Sequence, residues 1–177
     1  MLKQKSIVVW MVGLSGSGKS TLARALENTL YEKGYLTQLL DGDNLRTGIN
    51  NNLGFSVEDR VENIRRAAEV SKLFAQCGIV TICSLISPTK GIRDMTREII
   101  GGKYFEVFIN CPIEECEKRD VKGLYAKARR GEIKDFTGIS SPFEAPENPD
   151  LEIRTDLKDI EHCHASLVDA VLEKIEI

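Results

Sequence analysis

Gly13-Leu14-Ser15-Gly16-Ser17-Gly18-Lys19-Ser20 matches the pattern G-x-x-x-x-G-K-[ST], a loop that binds the phosphates of a nucleoside triphosphate. Glycine lets the backbone curl so that successive N–H groups face phosphate oxygens. Lys19 would reach the β- and γ-phosphates, the Ser20 hydroxyl would sit on a magnesium ion, and Thr21 would close the binding stretch. The flanks suit that chemistry. Residues 7–12, Ile-Val-Val-Trp-Met-Val, have strand character, and 21–26 continue in a helical period, so the loop would open a helix whose N-terminus favours negative charge. A chance match by an ordinary Gly/Ser loop is the alternative, and these flanks argue against it.

Further groups could complete a phosphoryl-transfer site. Asp41-Gly42-Asp43 ends a second strand read at 35–40. One carboxylate could hold magnesium and the other accept a proton from an attacking hydroxyl, although Asp-Gly is also a common turn. Arg46, Arg60 and Asn63 suit an anion. Arg60 and Asn63 lie three apart on an expected helix, and guanidinium groups fork onto phosphate or sulfate oxygens. Ser84 and Ser87 follow a third strand; such a serine could bind an anion, be phosphorylated, or cap the next helix. Phe55 and Phe136 stand in polar stretches, as small satellite cores or as clamps for a planar base. The basic run 118–134, with Lys122, reads as a lid or as a solvated mixed-charge helix.

The elements that must position these groups alternate. Strands are expected at 7–12, 35–40, 79–83, 104–109 and 151–153. A helix capped by Ser56 runs to a stop at Gly78, another covers about 92–100, a short one opens at Pro112, and the closing helix shows Leu157, Ile160, His164, Leu167, Val171 and Ile175 on one face. Alternating βα units imply an α/β fold, a doubly wound parallel sheet with helices on both faces and ligands beyond the strand C-termini. The 177 residues read as one domain, 1–177, with a basic lid at about 120–149.

The charge of 24 − 27 = −3 argues against a nucleic-acid partner held by general basicity. The apolar runs are too short for a membrane span, and the first residues do not read as a signal peptide. Five cysteines, an odd number without a C-x-x-C pair, suggest neither a disulfide framework nor zinc, and they fit a reducing cytoplasm. His162-Cys163-His164 lies in a helical stretch where positions i and i+2 diverge, which disfavours a metal cluster.

Together these blocks resemble the adenylylsulfate kinase (APS kinase) family, a P-loop kinase family. The likeness continues through Leu40-Asp41-Gly42-Asp43-Asn44, Leu53-Gly54-Phe55-Ser56, Asp59-Arg60-Val61-Glu62-Asn63-Ile64-Arg65-Arg66 and Ile86-Ser87-Pro88. It ends with Arg119-Asp120-Val121-Lys122-Gly123-Leu124-Tyr125, Gly131-Glu132-Ile133-Lys134, Phe136-Thr137-Gly138-Ile139 and Phe143 before Glu144-Ala145-Pro146-Glu147-Asn148-Pro149. The resemblance implies transfer of the ATP γ-phosphate to the 3′-hydroxyl of adenosine 5′-phosphosulfate (APS), with Mg2+, in a cytoplasmic homodimer. It gives Asp43 the part of base or orienter and places Asp41 near the metal. Arg46, Arg60 and Asn63 would hold the phosphosulfate, and Phe55 and Phe136 would sandwich the adenine. The backbone at Ile86 and Ser87 would line the APS site, with Ser87 a binding residue first and a phosphoserine intermediate second. Lys122 would belong to the lid. Another small-molecule P-loop kinase, or a non-catalytic nucleotide-binding module, is the alternative; intact Lys19, Ser20, Asp41 and Asp43 disfavour the latter.

Overall fold

Five short runs rich in β-branched and aromatic residues form parallel strands in the computed structural model, which describes residues 2–177. They are β1 (Val8–Val12), β2 (Thr37–Asp41), β3 (Val80–Ser84), β4 (Tyr104–Asn110) and β5 (Leu151–Arg154), in the order β2-β3-β1-β4-β5. The helices are α1 (Lys19–Glu32), α2 (Gly42–Thr47), α3 (Val57–Gln76), α4 (Lys90–Ile100), α5 (Ile113–Arg119), α6 (Leu124–Arg129) and α7 (Ile160–Ile175).

All of β1 is buried, as befits a central parallel strand covered on both faces. Its side chains alternate between two cores. Val9 and Met11 pack with Leu22, Leu26 and Leu30 of α1 and with Leu167, Val171 and Ile175 of α7. Val8, Trp10 and Val12 pack with Ile64 and Ala68 of α3 and Ile92 of α4. Leu22, Leu26 and Leu30 recur every four residues, so one stripe of α1 faces the sheet. The doubly wound sheet expected from the βα alternation is thus present. A third, smaller core of Leu14, Cys111, Cys116 and Tyr125, with Phe136 and Phe143 against it, supports the segment beyond the strand ends.

One polar network crosses the second core. Glu106 on β4 lies 3.6 Å from Arg93 Nε and 3.3 Å from Arg97 Nη2. The Tyr104 hydroxyl donates to the same carboxylate at 3.1 Å, and burial together with that charge pushes the phenol pKa up.

Several expectations need correction. Asp41-Gly42-Asp43 is no turn: Asp41 is the N-cap of α2, and its side chain accepts the Asp43 N–H at 3.1 Å. Leu157 lies outside the closing helix and is exposed, because Asp159 caps α7 two residues later by accepting the His162 N–H at 2.9 Å. The basic stretch contains α6. Ser56 caps α3 as expected, accepting the Asp59 N–H at 3.1 Å. All five cysteines are free, and burial pushes the Cys83 thiol up to about 12.

Candidate active site

Register brings the pieces to one end of the sheet. Ser84 of β3 is level with Asp41 of β2 and with Met11 of β1, just before the phosphate loop. The loop leaves β1 so close to β4 that a Cβ on Gly13 would meet the Ile109 carbonyl oxygen at 2.5 Å. Gly16 and Gly18 have φ of +76° and +102°, the left-handed region open to glycine. Loop carbonyls are held from outside: the Tyr125 hydroxyl donates to Ser15 O at 2.9 Å and the Thr155 hydroxyl to Ser17 O at 2.8 Å. Arg119 in turn donates to Thr155 O at 2.7 Å.

Lys19 is buried, and its ammonium donates to Leu14 O at 2.6 Å. Desolvation lowers its pKa from 10.5 to about 8, so the site favours any ligand that brings negative charge to it. The Ser20 hydroxyl donates to Asp41 Oδ2 at 2.8 Å and lies 3.2 Å from Ser84 Oγ. This is an oxygen-only set, of the kind that suits magnesium bridging to a triphosphate. Among the described residues no group of three or more His, Cys, Asp or Glu side chains could hold a metal alone. His162 is exposed against Asp159, and His164 lies 3.1 Å from the Thr29 hydroxyl.

Asp43 sits in the first turn of α2 with its carboxylate in solvent, ion-paired to Lys122 from the turn between α5 and α6. Beyond it stands Phe55, 62% exposed, with Arg46 Cζ 4.4 Å and Arg60 Cζ 5.8 Å from its ring centre. Arg46 donates to Gly54 O at 2.8 Å. Arg60 donates to Phe55 O at 2.9 Å, to the Thr137 hydroxyl at 3.2 Å and to Asp135 O at 2.6 Å. It therefore joins the loop carrying Phe55 to the segment carrying Phe136, whose ring packs edge-on against Tyr125 at 5.0 Å. Burial lowers the pKa of both arginines, and the charge of Arg60 lowers that of Arg46 further.

The remaining expected residues are bound into the fold. The Ile86 carbonyl accepts the Gly13 N–H at 3.4 Å. Ser87 is wholly buried with φ +47°; its hydroxyl accepts the Trp10 indole N–H at 2.9 Å and its carbonyl accepts Arg93 Nη1 at 3.1 Å. The next helix is capped by Thr89 instead. Asn63 is buried and accepts Asn50 Nδ2 at 3.0 Å. Sequence reasoning missed Trp10, Asn50, Arg93 and Thr155, and it quoted Arg119 and Tyr125 only within a motif, without their bonds to Thr155 and Ser15. The lone tryptophan in mid-strand was the one visible signal among them. A cavity of about 570 Å³, lined by Cys111, Pro112, Ile113, Gly138 and Phe143, lies beside this cluster and shares only Leu14 with it.

Residues 5–154 match the adenylylsulphate kinase family model. The chain belongs to that family. Relatives named adenylyl-sulfate kinase include one from Bacteroides thetaiotaomicron, 60% identical over 99% of this chain and 88% of its own length. One from Bacteroides fragilis is 59% identical over 99% and 87%. The APS kinase of Mycobacterium tuberculosis, solved with AMPPNP and APS, superposes with a TM-score of 0.90 at 47% identity, over 94% of this chain and 98% of that one. The adenylylsulfate kinases are P-loop kinases, and Gly13–Ser20 carries the loop pattern of that fold. No helix among the described residues is long and apolar enough to cross a membrane.

Proposed function

We propose that this enzyme transfers the γ-phosphate of ATP to the 3′-hydroxyl of APS, giving 3′-phosphoadenosine 5′-phosphosulfate and ADP. The observation that carries the reading is the pair of guanidinium groups, Arg46 and Arg60, with their Cζ atoms 4.4 and 5.8 Å from the centre of the exposed Phe55 ring. A flat base with an anionic tail answers that chemistry, whereas a neutral sugar would leave both charges unmatched.

The reaction forms a bond from the 3′-oxygen to Pγ and breaks the bond from Pγ to the β,γ-bridging oxygen. Asp43 takes the proton of the 3′-hydroxyl as the new bond forms, and Lys122 holds that carboxylate before substrate arrives. Lys19 and the loop N–H groups stabilise charge on the β- and γ-phosphates. Ser20 and Asp41 would hold a magnesium ion, which supplies charge neutralisation between the phosphates. Arg46, Arg60 and Asn63 grip the phosphosulfate, Phe55 and Phe136 flank the adenine, and Ile86 and Ser87 line the site through their backbone. The buried, engaged hydroxyl of Ser87 supports direct transfer over a phosphoserine intermediate. Segment 120–149 acts as the lid of a single kinase domain, and the enzyme works as a cytoplasmic homodimer.

A coupled ADP-release assay with Mg-ATP tests this reading, comparing APS with AMP, adenosine and a sugar panel. ADP release and a 3′-phosphorylated product with APS alone are expected. Faster turnover of any other acceptor would overturn it.

A further inference from the structure

We propose that Asn50 is a positioning residue for the acceptor substrate: it fixes which end of the Asn63 amide faces the anion site. The proposal rests on the reading of Asn63 as an APS ligand. Asn50 lies in the loop between α2 and α3, and its side chain is wholly buried. Its Nδ2 donates to Asn63 Oδ1 at 3.0 Å and to the Asn63 backbone carbonyl at 3.4 Å. The backbone carbonyl can only accept, so the group of Asn50 that faces it is the NH2, and the same NH2 then calls for an oxygen, Oδ1, on the Asn63 side chain.

That orientation settles the other amide. With Oδ1 of Asn63 held by Asn50, the group left to Asn63 is its NH2, which can only donate. Asn63 follows Arg60 by three positions on α3, so this NH2 joins a surface whose other members, Arg46 and Arg60, are also donors without acceptors. Phosphate and sulfate oxygens only accept. An Asn63 turned the other way would point an oxygen at them.

Two features hold Asn50 to this task. Its loop is clamped on α3 by Arg66, which donates to Ile49 O at 3.0 Å and to Asn52 Oδ1 at 2.8 Å. Among the described residues no protein group donates to the buried Oδ1 of Asn50. A buried, unsatisfied acceptor is uncommon and costs stability. An apolar residue here would avoid that cost but could not orient Asn63.

The test is a double-mutant cycle of Asn50→Ala and Asn63→Ala in the whole enzyme, reading KM for APS, KM for ATP, kcat and the melting temperature. Each single variant is expected to raise KM for APS about tenfold with KM for ATP and kcat within about twofold, and the double variant to be no worse than Asn63→Ala, because Asn50 acts through Asn63. Additive losses, or equal losses in both KM values, would mean a general structural role and overturn the proposal. If Asn63→Ala impairs APS binding and Asn50→Ala does not, the proposal fails while the reading of Asn63 stands. If Asn63→Ala leaves KM for APS unchanged, both fail. Should Asn50→Ala not fold, Asn50→Ser takes its place in the cycle. Asn50→Asp, which sets an acceptor against Asn63 Oδ1, is expected to raise KM for APS more than either.

Discussion

Lys19 and Ser17 are buried and bonded within their own loop, whereas Asp43 and Lys122 form an exposed ion pair and Phe55 stands in solvent beside Arg46 and Arg60. The two ends of the site are thus organised differently. At the ATP end, glycine conformations and hydrogen bonds to Ser15 O and Ser17 O fix the backbone before any ligand arrives. At the acceptor end, the links are an exposed ion pair and the contacts of Arg60 with the lid. Exposed pairs of this kind contribute little stability, on the order of 0–1 kcal/mol. The contrast teaches that the phosphate loop is shaped by the fold itself, while the Phe55 side is held by side-chain contacts at the surface.

The largest expected effect is at Lys19. Lys19→Ala should lower kcat by on the order of 10³-fold, as loss of a group that meets transition-state charge does, without lowering the melting temperature. Near-normal turnover would break the comparison at its firmest point. Next comes Asp43→Asn, expected to cut kcat by about 10²–10⁴-fold with little change in APS binding by calorimetry; an unchanged rate would exclude Asp43 as base.

Stability against pH probes the same contrast. The pKa of Lys19 falls from 10.5 to about 8 on folding. Below about pH 8 both states are protonated, and the cost of burying the charge, on the order of 3 kcal/mol, is present in full. Above about pH 8 the folded state sheds a proton that the unfolded state keeps, so stability rises with pH until the unfolded pKa is passed. Urea unfolding should therefore show Lys19→Met more stable than the parent at about pH 7, with the gap closing by about pH 10. A constant gap would refute the buried charge. Smallest in its effect on rate is Ser87→Ala, expected to keep kcat within about threefold while leaving the Trp10 N–H unpaired, at about 1–3 kcal/mol of stability. Loss of turnover without loss of stability would restore the covalent serine.

What the sequence disclosed follows the same division. The phosphate loop, the five strands and the Ser56 cap are local patterns, each legible within a dozen residues. Helix α2 was not, because six residues are too few to show a period and its capping Asp41 precedes a glycine, as a turn would. The bond between the Ser87 hydroxyl and Trp10 was not legible, because the two are distant in the chain and meet only once the sheet is assembled. Nothing in the run Asn50-Asn51-Asn52 tells which amide is buried; that depends on how Arg66 and Asn63 of α3 receive the loop.

The Arg60 guanidinium has five N–H groups in a fixed plane. Three donate to Phe55 O, Asp135 O and the Thr137 hydroxyl, and two remain. The group has the valence to hold lid and loop together and still grasp an anion in the same plane. Lysine, with three donors on a single nitrogen, would have to choose: joining the Phe55 loop to the Asp135–Thr137 segment and binding an anion, concurrent through one arginine, would compete.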